Sequence, residues 1–308
     1  MNKSIYVALS LFADKDPKAL ELLQASGISF ELNKSGRRLD KAQLLESAKG
    51  CAGVIAGLEP YDKDVLQRLP DLKCISRCGV GVDNIDLASA RSKGVAVMTT
   101  PDAVTQPVAE LTIAMIFDLL RRLSWHAKQM GEKRWERSTG SLLKGKTVGL
   151  IGLGRIGRRV AELLTALGAQ VVAYDPKPDL DWARSHQTQV LDLEPLLARS
   201  EIVSLHFVHD DKQPFCLDEK RISQMPKGAI LINTARGSFV DEDALFEALS
   251  KGKLAAAGLD VFAQEPYQGA LCTLDNVILT PHIGSLTQES RCDMEMQAVK
   301  NLLDFLNK

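Results

Sequence analysis

Residues Lys146 to Asp175, KTVGLIGLGRIGRRVAELLTALGAQVVAYD, constrain the fold more than any other segment of this 308-residue chain. Thr147 to Ile151 is a short apolar run of the kind that makes a strand buried on both faces. Gly152, Gly154 and Gly157 follow with the spacing G-x-G-x-x-G. The first permits a tight turn, the second lets a pyrophosphate approach the backbone, and the third lets a helix press against the strand. Val160, Leu163, Leu164 and Leu167 share one helical face, and Gly168 ends that helix. Gln170 to Tyr174 reads as a second strand with Asp175 at its end. A carboxylate there accepts hydrogen bonds from a ribose diol and repels a 2′-phosphate. A glycine turn in an ordinary α/β unit leaves that acid unexplained, so the segment predicts a dinucleotide site. Asp175 favours NAD over NADP; Lys177, a cation able to meet a 2′-phosphate, is the counter-signal.

The composition is that of an ordinary globular chain, 45% hydrophobic and 25% charged, long enough for two cores. A net charge of −1 predicts no bulk attraction to nucleic acid or membrane. Cysteines 51, 74, 78, 216, 272 and 292 make no C-x-x-C pair, so no metal site is expected and a reducing, cytoplasmic location fits. Met1 to Leu11 reads as a first strand rather than a signal peptide. No run approaches the ~20 apolar residues of a membrane span. The richest, Leu111 to Leu120, is interrupted by Thr112 and Asp118.

Along the first hundred residues, candidate strands Ile5–Leu9, Ile28–Leu32, Gly53–Ala56, Cys74–Arg77 and Val95–Thr99 alternate with amphipathic stretches Pro17–Ala25, Leu39–Ala48 and Asp62–Leu69. That alternation predicts a parallel sheet with helices on both faces. Pro101 breaks the chain before a long helix, Gln106 to Arg122, apolar nearly all round and therefore buried. Ser124 to Gly145, carrying Trp125 and Trp135, reads as a polar arm that packs on a neighbour, which makes a homodimer the default. A second α/β series runs from Lys146 through strands at Ile202–Phe207, Ala229–Asn233, Ala255–Val261 and Val277–Thr280. The last helix, Leu286 to Leu306, fits either domain. The fold class is thus α/β, two doubly wound parallel-sheet, Rossmann-like domains.

Three segments after buried strands carry candidate catalysts, where open α/β sheets place their ligands. ILINTARG ends with Arg236, able to grip a carboxylate in a bidentate pair. GLDVFAQEP offers Asp260 and Glu265, and ILTPHIG sets His282 between a proline and a glycine turn. Singly these are a surface charge, a helix stop and a loop histidine. Together, downstream of a dinucleotide fold, they supply what hydride transfer at C2 of a hydroxy acid needs: a general acid/base, its partner and a carboxylate anchor.

These motifs, with SRCGVGVDNID at 76–86, AELT at 109–112, INTARGSFVDEDAL at 232–245 and TPHIGSLTQES at 280–290, resemble the D-2-hydroxyacid dehydrogenase family, most of all its short phosphoglycerate dehydrogenase-like branch. The resemblance implies a discontinuous substrate-binding domain (1–99 plus 286–308), a dinucleotide-binding domain (100–285) and a cleft between them. It implies that His282 is the general acid/base with Glu265 its partner, and that Arg236 binds the substrate carboxylate. It further implies that Gly79, Val80 and Gly81 hold the carboxylate through backbone N–H groups, with Arg77 beside them. Arg155 and Ile156 would present N–H groups to the pyrophosphate, and Thr234, Ala235 and Asp260 would face the nicotinamide amide. The expected partner is a small 2-hydroxy or 2-keto acid.

Three departures bear on the substrate. Phosphoglycerate dehydrogenases carry an arginine where this chain reads Ala56-Gly57-Leu58-Glu59, so one phosphate anchor is missing. His206-Phe207-Val208 replaces H-x-P, and the loop after it, HDDKQPF, would shape the adenine side differently. Thr105-Gln106-Pro107 replaces the usual Asn/Ser-rich turn. The chain ends without the regulatory domain of the long enzymes, so no serine feedback is expected. Glyoxylate/hydroxypyruvate reduction is the alternative activity, and a dinucleotide-sensing, corepressor-like protein is the alternative from another class.

Overall fold

A computed structural model describes residues 4–207 and 215–307. The chain divides into two compact units, Met1–Val104 with Ser285–Lys308, and Thr105–Gly284. The first division falls between residues 104 and 105, inside a helix, rather than between 99 and 100.

The first unit is built on five strands: β1 (Ile5–Val7), β2 (Phe30–Leu32), β3 (Gly53–Ala56), β4 (Cys74–Arg77) and β5 (Ala96–Met98). All pair parallel, in the order β2-β1-β3-β4-β5. Helices Lys18–Ala25, Lys41–Ser47, Lys63–Arg68 and Leu87–Ser92 connect them. Asp40, Asp62 and Asp86 each accept a backbone N–H from the first turn of the helix that follows, which fixes where three of these helices begin. Leu87–Ser92 has no counterpart in the sequence reading, because LASARS buries only Ala90 and shows no apolar period. The final helix, Gln288–Leu306, belongs to this unit. Met294, Ala298, Val299, Leu302, Leu303 and Leu306 pack with Ile5, Val7, Ile55 and Cys74, and the Ser76 hydroxyl donates to the Ala298 carbonyl at 2.8 Å.

The second unit carries β6 (Thr147–Ile151), β7 (Gln170–Tyr174), β8 (Gln189–Val190), β9 (Ile202–Leu205), β10 (Ala229–Asn233), β11 (Leu254–Leu259) and β12 (Val277–Leu279). They form one parallel sheet ordered β12-β11-β10-β9-β6-β7-β8. The order reverses beside β6, which has β9 on one side and β7 on the other; such a switch point is where open α/β sheets bind ligands. The helix Arg155–Ala166 buries Val160, Ala161 and Leu164 against Val148, Leu150 and Val171. The sequence reading missed β8 and the helix Leu180–Ser185, both too short to show a period.

Pro101 does not break the chain but opens the helix Pro101–Arg121, a position where its fixed φ suits the first turn. Pro107 lies inside that helix and cannot donate to the Ala103 carbonyl; the Ser290 hydroxyl does so instead, at 2.8 Å. By length and composition this helix is apolar enough to cross a membrane, contrary to the sequence reading. In the fold, Ala109, Met115, Ile116 and Leu120 pack with Val148, Leu150 and Val160, as in a core helix. The stretch read as a polar arm starts with a helix, Leu123–Gly131. Arg122 makes the corner at φ +53°, and Asp118 accepts the Ser124 N–H at 2.8 Å. This second helix was hidden because its polar residues surround a single buried side chain, Gln129.

Candidate active site

The last residues of six strands lie side by side in the second unit: Tyr174, Ile151, Leu205, Asn233, Leu259 and Leu279 are partners in register across β7, β6, β9, β10, β11 and β12. The next residue in each case is Asp175, Gly152, His206, Thr234, Asp260 or Thr280. Register therefore gathers every motif of the second unit at one sheet edge. The row spans five strand spacings, roughly 24 Å.

At one end is the glycine turn. Gly152 has φ +104°, and a Cβ on it would come within 2.6 Å of the His206–Phe207 peptide. A Cβ on Gly157 would overlap the Gly152 carbonyl, whereas one on Gly154 meets nothing within 4 Å. Gly154 is the N-cap of Arg155–Ala166 and supplies no side-chain cap, so Arg155 and Ile156 begin a helix whose N-terminus opens on unfilled space. That is the arrangement a pyrophosphate requires. Asp175 is fixed: Oδ2 accepts the Leu153 N–H and Oδ1 the Lys177 N–H, both at 2.8 Å. Each oxygen keeps a second lone pair for a ribose hydroxyl. His206, buried behind this turn, hydrogen-bonds through Nε2 with the Ser204 hydroxyl at 2.8 Å, and burial pushes its pKa down to about 3. Val208 and loop residues 209–214 lie outside the described residues.

In the middle of the row, Asn233 shapes the segment that carries Arg236. Its side chain accepts the Ala235 N–H at 3.0 Å and donates to the Arg236 carbonyl at 2.8 Å. Thr234 is buried, with its hydroxyl 3.0 Å from that of Thr112. The Arg236 guanidinium donates to the Ala235 carbonyl at 2.7 Å. A Cβ on Gly237 would overlap the Phe262 carbonyl and the Ala263 nitrogen, so this glycine lets the Arg236 segment touch the one that leads to Glu265.

At the other end, His282 Nδ1 stands 2.9 Å from Glu265 Oε2, and Glu265 Oε1 accepts the Phe262 N–H at 3.2 Å. His282 is left-handed, at φ +54°, a conformation rare outside glycine. Asp260 holds it there. Its backbone carbonyl accepts the His282 N–H at 3.0 Å. Its carboxylate, 1% exposed, accepts the Thr280 hydroxyl at 2.6 Å and the N–H groups of Ile283 and Gly284 at 2.8 and 2.7 Å. Three of its four lone-pair positions are thus spent on the histidine turn, which leaves one for the nicotinamide amide expected to face it. Asn233, Thr112 and this turn-holding use of Asp260 were not read from the sequence. The only signal was their place, just inside or after a buried strand.

In the first unit, Gly79 follows β4 at φ +134°; its N–H donates to the Thr100 hydroxyl at 2.7 Å, and its carbonyl accepts the Thr100 N–H. Val80 and Gly81 continue this loop half-buried, and Arg77 lies against Gly79.

Residues 113–284 match the family described as D-isomer specific 2-hydroxyacid dehydrogenase, NAD binding domain. The chain belongs to this family. It is 35% identical over 299 residues to the hydroxypyruvate reductase of Thermotoga maritima, covering 94% of this chain and 96% of that one. It is 40% identical over 258 residues to the D-3-phosphoglycerate dehydrogenase of Methanocaldococcus jannaschii, of which it spans 49%. The structure of the Aquifex aeolicus D-lactate dehydrogenase, complexed with NAD and lactic acid, superposes with a TM-score of 0.86 at 29% identity, over 99% of this chain and 96% of that one. This D-2-hydroxyacid dehydrogenase is an NAD-dependent oxidoreductase acting on the CH–OH group of a 2-hydroxy acid.

Proposed function

We propose that the protein reduces a small unphosphorylated 2-keto acid, hydroxypyruvate or glyoxylate, with His282 as general acid, Glu265 as its partner and Arg236 as the carboxylate anchor. The observation that carries this reading is the 2.9 Å contact between His282 Nδ1 and Glu265 Oε2. An ionised carboxylate only accepts, so Nδ1 bears the hydrogen and Nε2 is left to exchange a proton with the C2 oxygen. Bound NADH supplies the hydride that C2 receives. The Arg236 guanidinium is a fork able to take the substrate carboxylate and to draw electron density from the adjacent carbonyl. Arg155 and Ile156 hold the pyrophosphate through the helix N-terminus, and Asp175 takes the ribose.

The choice of an unphosphorylated acid is supported by the absence of a cation from Ala56 to Glu59 and by the hydroxypyruvate reductase relative, matched over 96% of its length. Arg77 favours the second reading, phosphoglycerate oxidation. NADH oxidation by the full chain, followed on hydroxypyruvate, glyoxylate, pyruvate and phosphohydroxypyruvate, separates them. Hydroxypyruvate and glyoxylate are expected to give the highest kcat/KM. Phosphohydroxypyruvate turned over fastest selects the second reading, and protein that binds NADH without reducing any of the four is a sensor.

The proposal extends to assembly and location. Leu123, Met130, Trp135 and Leu142 are all exposed, Trp135 to 79%, along one short stretch of chain. A second copy covering them makes a homodimer, and Trp135→Glu then converts dimer to monomer in light scattering; a monomeric wild type contradicts this. Six free cysteines, with Cys74 and Cys78 pushed up to about 12 by burial, fit a reducing cytoplasm.

A further inference from the structure

The carboxyl edge of the five-stranded sheet holds an acid that the chemistry above leaves unused. Glu59 lies three residues after β3 and is 2% exposed. Its Oε2 accepts the Gly57 N–H at 2.7 Å. Asn84 donates to the Glu59 carbonyl at 2.6 Å, and Arg38 donates to the Leu58 carbonyl. The 57–59 turn is thereby closed over its own carboxyl group. The neighbouring strand β4 ends level with β3, Ala56 opposite Arg77. Arg77 donates to the Cys78 carbonyl, and its guanidinium occupies the space a Cβ on Gly79 would need. The register thus sets Arg77, which lies against Gly79, on the strand beside the one that leads to the buried acid. Burial holds the Glu59 carboxyl above the usual carboxylate range; hydrogen bonds from the Glu59 and Gly57 backbone, and then the charges of Arg38 and Arg77, oppose it only in part.

We infer that Glu59 offsets the charge of Arg77 beside the Gly79–Gly81 loop, so that the loop accepts an acid with one carboxylate without favouring the same acid carrying a phosphate. The inference rests on the reading that this loop holds the substrate. Its physical basis is a difference in charge. A phosphate adds about 1.5 to 2 negative charges at neutral pH, so a nearby uncompensated guanidinium favours the phosphorylated acid far more than the plain one. An ionised carboxylate beside that guanidinium removes the preference. Glu59 acts through Arg77 and is a positioning residue for specificity, not a group that touches substrate.

The test is a ratio of affinities. Calorimetry on the NADH-loaded full chain gives dissociation constants for D-glycerate and for 3-phospho-D-glycerate, which differ only in the phosphate. Glu59→Gln keeps an oxygen to accept the Gly57 N–H and removes the charge. In this variant the phosphoglycerate-to-glycerate ratio of dissociation constants is expected to fall about tenfold. Glu59→Asp, which keeps the charge, retains the wild-type ratio, and Glu59→Gln with Arg77→Gln returns toward it. A ratio within twofold of wild type in Glu59→Gln overturns the inference, as does an equal weakening of both ligands, which is what a structural role would give. Failure of Arg77→Gln to reverse the change also overturns it. Wild type that binds neither acid overturns it together with the loop reading. Because binding is measured and not turnover, a chain that binds these acids but reduces no keto acid would sink the proposed reaction while leaving this ratio to be read.

Discussion

At the end of β6 the backbone turns through Gly152 at φ +104°, and at the end of β12 it turns through His282 at φ +54°. Both turns leave the same edge of the same sheet, and both use backbone that L-residues rarely adopt. The first is made by residue type: glycine has no Cβ to meet the His206–Phe207 peptide. The second keeps a side chain, the imidazole that the proposed reaction uses as its general acid. A left-handed non-glycine residue costs about 1–2 kcal/mol, and here the buried Asp260, from the neighbouring strand end, offsets it with hydrogen bonds to both sides of the histidine. The glycine turn is thus written locally, whereas the histidine turn is held from elsewhere in the chain.

The sharpest way to break this comparison is Asp260→Ala. It strips partners from two buried or half-buried N–H groups and a hydroxyl, each worth about 1–3 kcal/mol when left unsatisfied. Turnover should fall by about 100-fold or more, with stability lower by about 3 kcal/mol, read from steady-state kinetics and denaturant melts. Turnover near wild type would mean that the histidine turn holds itself.

The glycine turn should fail differently. Gly157→Ala places a methyl group on the Gly152 carbonyl and should cost about 1–3 kcal/mol of stability, weakening NADH binding with it. Gly154→Ala meets no atom of the protein, so the melting temperature should hold while the NADH dissociation constant rises. Equal thermal losses in the two variants would contradict the division between packing glycine and ligand glycine.

An effect absent at neutral pH concerns His206, behind the glycine turn. Its folded pKa is depressed by burial to about 3, against 6.5 for the unfolded chain. Below pH 6.5 the unfolded state takes up a proton that the folded state refuses, so stability falls as pH drops from 6.5 toward 3. By pH 4 the loss should reach about 3 kcal/mol. His206→Gln should flatten that acid limb; superimposable pH–stability curves would show that His206 does not stay neutral in the fold.

The same contrast explains what the sequence made legible. β3, β4, β7 and β10 were bounded to the residue, because each is an apolar run stopped by glycine, charge or proline. The dinucleotide turn was readable because three glycines and an acid at fixed spacing state their geometry locally. His282, Glu265 and Arg236 were readable only as chemistry, since nothing in 236, 265 and 282 says that Gly237 brings two loops into contact. Asn233 and Thr112 escaped because a buried polar residue inside an apolar run looks like any strand or helix position. The elements missed, Leu87–Ser92, Leu123–Gly131, Leu180–Ser185 and β8, are short and mostly polar, ordered by their neighbours rather than by their own pattern.

The claim beneath all of this is that one imidazole, steadied by Glu265, moves the proton, while the glycine turn and Asp175 hold the dinucleotide without it. Paired measurements of kcat on hydroxypyruvate and of the NADH dissociation constant for His282→Ala test it directly. A kcat lower by about 10²–10⁴-fold with NADH affinity within twofold of wild type is the predicted result. Turnover within tenfold of wild type, or an affinity loss as large as the loss of turnover, would contradict it.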